Sequence, residues 1–208
     1  MRHDFSPKKL PRQARSRVTF DAIVEACARL LVERGYGAVT TNHIAEAAGV
    51  SIGSLYEYFG DKDAVVHEVV RQTTEGFVAD AERPIAELVG TPVDFAIRSW
   101  LAALLAALRS REGLLRAIAA EVPSSIREPH REAAWERHLA LARGAYRMAG
   151  DGVRQDRAEE VSFLVVTLVD AALTRLVLAP PPDVDADVVL DELACRVVEW
   201  VSPRVDSR

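Results

Sequence analysis

TTNHIAEAAGVSIGSLYEYFGDKDAVV, Thr40 to Val66, decides how this chain reads. Two short amphipathic segments meet at Gly49, and each is opened by a hydroxyl side chain: Thr40 ahead of TNHIAEAAG and Ser51 ahead of IGSLYEYF. A hydroxyl at the N-cap accepts a hydrogen bond from an otherwise unpaired amide of the first helical turn. Gly49 supplies a hinge residue free to take unusual backbone angles. Ala45 and Ala48 are small enough to let the two helices approach, and Ile44, Val50, Leu55 and Phe59 are expected to form the core that fixes their crossing angle. This is the spacing of a helix-turn-helix, in which the second helix enters a major groove.

The outward side of that second helix is expected to present Ser51, Ile52, Gly53, Ser54, Tyr56 and Tyr58. Hydroxyls and exposed N-terminal amides suit phosphate oxygens, and Ile52 offers an apolar surface to a thymine methyl. Gly53 lets backbone come close to a duplex, and Lys62, in the next helix, adds a phosphate contact. Helix pairs that bind nothing show the same glycine turns, caps and buried aromatics, so pattern alone leaves both readings open.

Working outward, apolar residues recur at helical spacing almost throughout the 208 residues, and nothing reads as a strand. Phe20, Ile23, Val24, Cys27, Leu30 and Leu31 predict a first helix stopped at Gly35, with GYGAVT as a turn. Asp61 caps a fourth helix running from Lys62 towards Arg83 and ending before Pro84. In TPVDFAIRSWLAALLAALRS, Thr91 is the expected cap, Pro92 the first helical residue and Asp94 the capping-box partner. Later helices are expected near Gly113 to Glu121, Glu128 to Ala149, Arg157 to Leu178 and Ala186 to Val201. The fold class is all-α, about nine helices. Residues 1–66 are expected to form a basic arm with a three-helix helix-turn-helix domain, read as DNA-binding, and residues 67–208 a larger helical domain.

The net charge is −5, unevenly spread. Residues 1–20 hold Arg2, Lys8, Lys9, Arg12, Arg15 and Arg17 against Asp4 alone, a net +5, which leaves −10 for the rest. A basic arm on an acidic body fits contact with a polyanion at one end, and equally a disordered solubilising tail. Cys27 and Cys195 lack CxxC spacing and read as reduced thiols. His130 and His138, eight residues apart among acidic neighbours, read as a solvated face rather than a metal site. Neither a metal nor a cofactor is expected. No HExxH, GxSxG, phosphate loop or Cys–His pairing marks an enzyme. The basic N-terminus runs into no apolar leader, so a cytoplasmic protein is expected. Asp170 and Arg175 interrupt the apolar run Val161–Leu178, which reads as a buried helix and not a membrane span.

The stretch from Thr40 to Val66 closely resembles the DNA-binding signature of the TetR/AcrR family of bacterial transcriptional regulators. Thr40 and Thr41, IAEAAGVS, the run Gly53, Leu55, Tyr56, Tyr58, Phe59, and Lys62 carry the resemblance, and the preceding ERGYGAVT matches as well. It covers roughly the first 65 to 70 residues. The resemblance implies a homodimeric repressor, released from a palindromic operator when a small molecule binds its C-terminal domain. It assigns operator contacts to Thr41, Ser51, Ile52, Gly53, Ser54, Tyr56, Tyr58 and Lys62. Many members have Lys where this chain has Ile52, and neutral or basic residues where it has Glu57. Glu57 is therefore expected to turn away from the phosphates, towards a base amino group or Arg34. Lys9, Arg12, Arg15 and Arg17 of the arm are expected to add phosphate contacts.

Val161–Leu178 is apolar nearly all round and needs two partners. The resemblance implies a four-helix dimer interface built from it and the last helix, with Leu164, Leu168, Ala172, Leu176, Leu193, Val197 and Trp200 at the contact. Complete burial inside a monomer competes with that reading. Phe95, Trp100, Leu104, Trp135, Tyr146 and Phe163 are candidate walls of a pocket for an apolar or aromatic effector, with plain core packing as the alternative. Asp170 and Arg175 mark a dimer-interface pair or a polar pocket wall. A helical protein-interaction module that never meets DNA, or a helical enzyme, are the competing functions.

Overall fold

The computed structural model describes residues 5–88 and 90–202. Among them the order is α1 (Ala14–Ala38), α2 (Thr41–Ala48), α3 (Ile52–Tyr58), α4 (Lys62–Leu88), α5 (Val93–Arg109), α6 (Glu112–Glu121), α7 (Ser124–Ala149), a 3-10 turn (Gly150–Gly152), α8 (Ala158–Leu178) and α9 (Ala186–Val201), without a strand. Arg2 and Asp4 of the basic arm lie outside the described residues.

Several helix ends follow from single side chains. Thr40 Oγ1 accepts from the His43 amide at 3.2 Å and Ser51 Oγ from the Ser54 amide at 3.0 Å. Asp61 Oδ1 accepts from the Ala64 amide at 2.8 Å, and Asp185 caps α9. Gly49 closes α2 in the left-handed region, at φ 67°. Gly35 interrupts α1 at φ 73°, yet helical backbone resumes and runs to Ala38, so GYGAVT is only partly a turn.

Other ends differ from expectation. α1 begins at Ala14, which places Arg15 and Arg17 on helix and not on an arm. α4 continues through Pro84 to Leu88. Proline deletes one amide donor and crowds the preceding turn, but Val78 and Ala81 are buried just before it and hold the helix against its unit. The Ala81 carbonyl, in the disturbed turn, accepts from Trp100 Nε1 at 3.2 Å. Pro92 is the N-cap of α5 rather than its first residue, and no side chain caps it. Asp94 pairs instead with Arg98, at 3.0 Å. α7 starts at Ser124, and its first amides at Ile126 and Arg127 bond to the Pro123 carbonyl.

The chain divides into two compact units, residues 1–75 with 113–132, and residues 76–112 with 133–208. The first unit's core joins Phe20, Ile23, Leu30 and Leu31 of α1 to Ile44, Leu55, Phe59, Val65, Val66 and Val69, and to Ile118 and Ile126. Burying such side chains contributes about 1.5–3 kcal/mol each. Cys27 lies in this core, and burial pushes its thiol up to about 12. Glu68 is a buried carboxylate of α4, held by Arg71 Nε and Nη2 at 2.7 and 2.6 Å and by Gln72 Nε2 at 2.9 Å. His130 is no part of a solvated face: its ring packs 4.5 Å from that of His67.

In the second unit α5 packs chiefly on α9 and α8. Leu101, Leu104, Leu105, Val166, Val169, Leu173 and Ala194 are buried there. Arg111 pairs with Asp80 at 2.6 Å. His138 also departs from the solvated reading, meeting the Phe77 ring edge-on at 5.5 Å. α8 is only half buried: Val161, Ser162, Val165, Val169 and Val177 face inward, while Phe163, Leu164 and Leu168 are exposed. Asp170 and Arg175 sit at exposed positions of the same helix.

Candidate functional site

α2 and α3 pack on α1, and their orientation is set by Ile44, Ala45 and Leu55, with Ala48 and Val50 packed against the same core. What they leave outside is polar. Ser51, Ile52, Gly53, Tyr56 and Glu57 are exposed and Ser54 is half-buried. Ser51 Oγ also lies 2.9 Å from Ser54 Oγ. Thr41, the first residue of α2, puts Oγ1 3.1 Å from Tyr56 Oη, so the two helices present their hydroxyls as a pair.

The two tyrosines separate. Tyr56 is 43% exposed, whereas Tyr58 is 6% exposed, with its ring edge-on to Phe20 at 5.8 Å. Tyr58 therefore belongs to the core, correcting the expectation that it faces outward. α3 has seven residues, and its inward face must carry Leu55 and its last turn to be held at all. Phe59 stacks on Phe20 at 4.9 Å, as a core residue.

Lys62 Nζ donates to the Tyr36 carbonyl at 3.0 Å and lies 3.9 Å from the centre of the Tyr36 ring. Tyr36 Oη donates to Asp63 at 2.7 Å, and its phenol is pushed up to about 12, first by burial and then by that bond. Tyr36 thus positions Lys62, a role its place in GYGAVT did not reveal. Lys8 was also missed: its amide donates to the Tyr58 carbonyl at 2.8 Å and its Nζ to the Tyr56 carbonyl at 3.4 Å. A cation at the carbonyl end of a helix is favoured by the helix dipole. No spacing rule ties residue 8 to residue 58. Lys9, Arg12, Arg15 and Arg17 are exposed. Glu57 is exposed and makes no ion pair with Arg34 among the described residues.

The second unit holds a cavity of about 470 Å3. Of the six aromatic and aliphatic candidates, Trp100 and Tyr146 line it, beside Ile97, Leu141, Val165 and Val197. Leu104 faces a much smaller space with Phe77 and His138. Phe95 is exposed, and Trp135 meets Phe163 edge-on at 5.8 Å outside the cavity lining. Of the expected interface residues, Leu164 and Leu168 are exposed and Ala172, Leu176, Leu193 and Trp200 half-buried, while Val197 is buried on the cavity wall. Ser162 is on that wall too; a hydroxyl inside the apolar run VSFLVV was its available signal. Among the described residues no cluster of His, Cys, Asp and Glu is able to hold a metal ion.

Residues 23–69 match the model of the bacterial regulatory proteins of the tetR family. The HTH-type transcriptional repressor KstR2 of Rhodococcus jostii is 38% identical over 72 residues, covering 35% of this chain and 33% of that repressor. The aligned stretch is thus about a third of either protein. A solved protein of Mesorhizobium loti assigned to the TetR family superposes with a TM-score of 0.74 at 18% identity, over 92% of this chain and 100% of that one. The SmeT–triclosan complex superposes with a TM-score of 0.69 at 19% identity, over 90% and 93%. At such identities the structures speak for the fold alone, and the fold agrees with the N-terminal match. Residues 23–69 thus carry the N-terminal domain found in bacterial regulatory proteins of the tetR family, and the helical fold of the chain is the one those solved structures share.

Proposed function

We propose that this chain is a homodimeric transcriptional regulator, not an enzyme, acting in the cytoplasm as a repressor released from duplex DNA by a small molecule. In this reading the N-terminal unit docks α3 in the major groove. Thr41, Ser51, Ile52, Gly53, Ser54, Tyr56 and Lys62 touch the operator, and Tyr58 holds the helix from behind.

The observation that carries it is Gly53. The fold does not require a glycine there: its φ is not positive, and an added Cβ would meet only Ser51 Oγ, at 3.7 Å. Glycine in a helix costs about 0.5–1 kcal/mol relative to alanine. An exposed helical glycine without a structural reason fits backbone that something else must approach closely. Arg15 and Arg17 support the same reading. They occupy the first turns of α1, where the helix dipole disfavours cations by about 0.3–1 kcal/mol, and a polyanion removes that penalty.

Palindromic half-sites lie about 34–36 Å apart and call for two recognition helices. The exposed Phe163, Leu164 and Leu168 on α8 supply an apolar stripe for a second copy of the chain. α4 and α7 each contribute to both units, so an effector that shifts the cavity walls reaches the N-terminal unit through continuous helix.

The test is an electrophoretic shift with the DNA upstream of the protein's own and adjacent genes. If Arg15, Arg17 and Lys62 of two subunits each meet a phosphate, log K falls against log salt with a slope of about −5. Absence of salt-dependent affinity, or full affinity in Tyr56→Ala and Lys62→Ala, refutes the DNA-binding reading.

A further inference from the structure

The wall of the large cavity carries no charged side chain among its described residues. Its polar side chains are Thr91, Trp100, Tyr146 and Ser162. The Trp100 indole N–H is committed to the Ala81 carbonyl. Tyr146 and Ser162 differ from it. They are 7% and 1% exposed, and neither hydroxyl has a hydrogen-bond partner. Buried polar groups are nearly always bonded, because a hydroxyl stripped of water without replacement leaves its desolvation unmet. Two such groups on the wall of one otherwise apolar cavity mark a recognition point.

The charge of the missing partner follows from the surroundings. The charges acting on Tyr146 are those of Arg154 and Asp156, which are paired at 2.7 Å and oppose each other. A carboxylate or ammonium brought to this wall would be buried without a counter-charge, a heavy penalty. A neutral oxygen meets both hydroxyls without one. Burial pushes the Tyr146 phenol up to about 12, so it keeps its proton and stays a donor at physiological pH. Ser162 donates or accepts as its rotor turns. The volume lies within the 300–1,000 Å3 range of small-molecule pockets.

We infer that this cavity takes a neutral, mainly apolar molecule bearing one hydroxyl or carbonyl oxygen, and that Tyr146 and Ser162 hold that oxygen. The inference rests on the reading of this cavity as an effector site and adds the chemical class of the effector.

A matched series separates the alternatives: 4-octylphenol, octylbenzene and 4-octylbenzoate share one apolar body and differ in the head group. Binding is measured by calorimetry on the full chain without DNA. 4-Octylphenol is expected to bind about tenfold tighter than octylbenzene, the worth of one or two neutral hydrogen bonds. 4-Octylbenzoate should be the weakest. Tyr146→Phe with Ser162→Ala should bring 4-octylphenol down to the level of octylbenzene and leave octylbenzene unchanged. That double variant removes only unpartnered hydroxyls, so it should melt no lower than the parent, and each single variant gives part of the effect. Tightest binding by the benzoate, an undiminished phenol preference in the double variant, or no binding by any of the three overturns the inference. Because binding is read on protein alone, failure here is a separate result from failure to shift an operator.

Discussion

Replacing Gly53 by alanine should make the protein more stable and a worse DNA binder. Gly53 is the second residue of the seven-residue α3, exposed, with ordinary contact distance from an added Cβ to Ser51 Oγ. Alanine therefore fits without strain. A helix-interior exchange gains about 0.8–1 kcal/mol, and near the first turn about half of that, roughly 0.5 kcal/mol. For a chain of this length the melting temperature should rise by about 1–2 °C. The same methyl stands where a duplex would meet backbone. Loss of one close groove contact costs about 1–3 kcal/mol, or about 5–150-fold in affinity. The assay pairs thermal melting with fluorescence anisotropy of labelled operator DNA at one fixed salt concentration. Gly144→Ala is the control: it lies on α7 of the second unit, where a Cβ meets only Arg147 Nη2 at 3.9 Å, and it should stabilise without touching DNA affinity. If Gly53→Ala keeps full affinity, the close approach does not occur. If it lowers the melting temperature, the glycine serves the fold and not the approach of a duplex.

Gly35→Ala should lose at least about 1–2 kcal/mol, because φ 73° is left-handed and the new Cβ would come within 2.8 Å of the Glu121 carboxyl carbon; denaturant midpoints check this, and an unchanged midpoint refutes it. His130 and His138 are both held below the ordinary histidine value, chiefly by burial, so the folded state binds fewer protons than the unfolded one. Their contribution is fully present above the unfolded value near 6.5 and falls away as pH drops below it, so melting temperature should decline from pH 7.5 to 5.5. The double substitution to Gln should flatten that decline, and an unaltered slope would count against it. Leu168→Glu, on the exposed side of α8, should shift the protein towards monomer in sedimentation velocity at micromolar concentration, and an intact dimer would place the contact elsewhere.

Local chemistry made much of the fold legible. Thr40, Ser51 and Asp61 cap the helices their positions predicted, since a cap needs only a side chain and an amide three residues on. The same local logic failed at Pro84, where packing of Val78 and Ala81 outweighs one lost hydrogen bond. It failed again at Asp94, whose carboxylate found Arg98 one turn ahead instead of the helix start. Periodicity identified α8 as apolar on two sides but gave no means of choosing which side the second unit keeps; the structure buries Val165 and Val169 and leaves Leu164 and Leu168 outside. Tyr56 and Tyr58 look equivalent in sequence, and only the approach of Phe20 separates them. The His67–His130 and Lys8–Tyr58 contacts join residues 63 and 50 positions apart, beyond the reach of any periodicity.

The Thr41–Tyr56 pair has a fixed stock of protons. Two hydroxyls carry two hydrogens, and the 3.1 Å bond between them uses one, whichever oxygen gives it. One hydrogen is left to point outward, so the pair offers a neighbouring oxygen a single donor and not two. Thr41→Val frees the Tyr56 hydrogen, and Tyr56→Phe frees that of Thr41, so either single change keeps the number of outward donors at one. Only the double change takes it to zero. The two hydroxyls therefore act as one redundant unit, and their losses should combine far from additively.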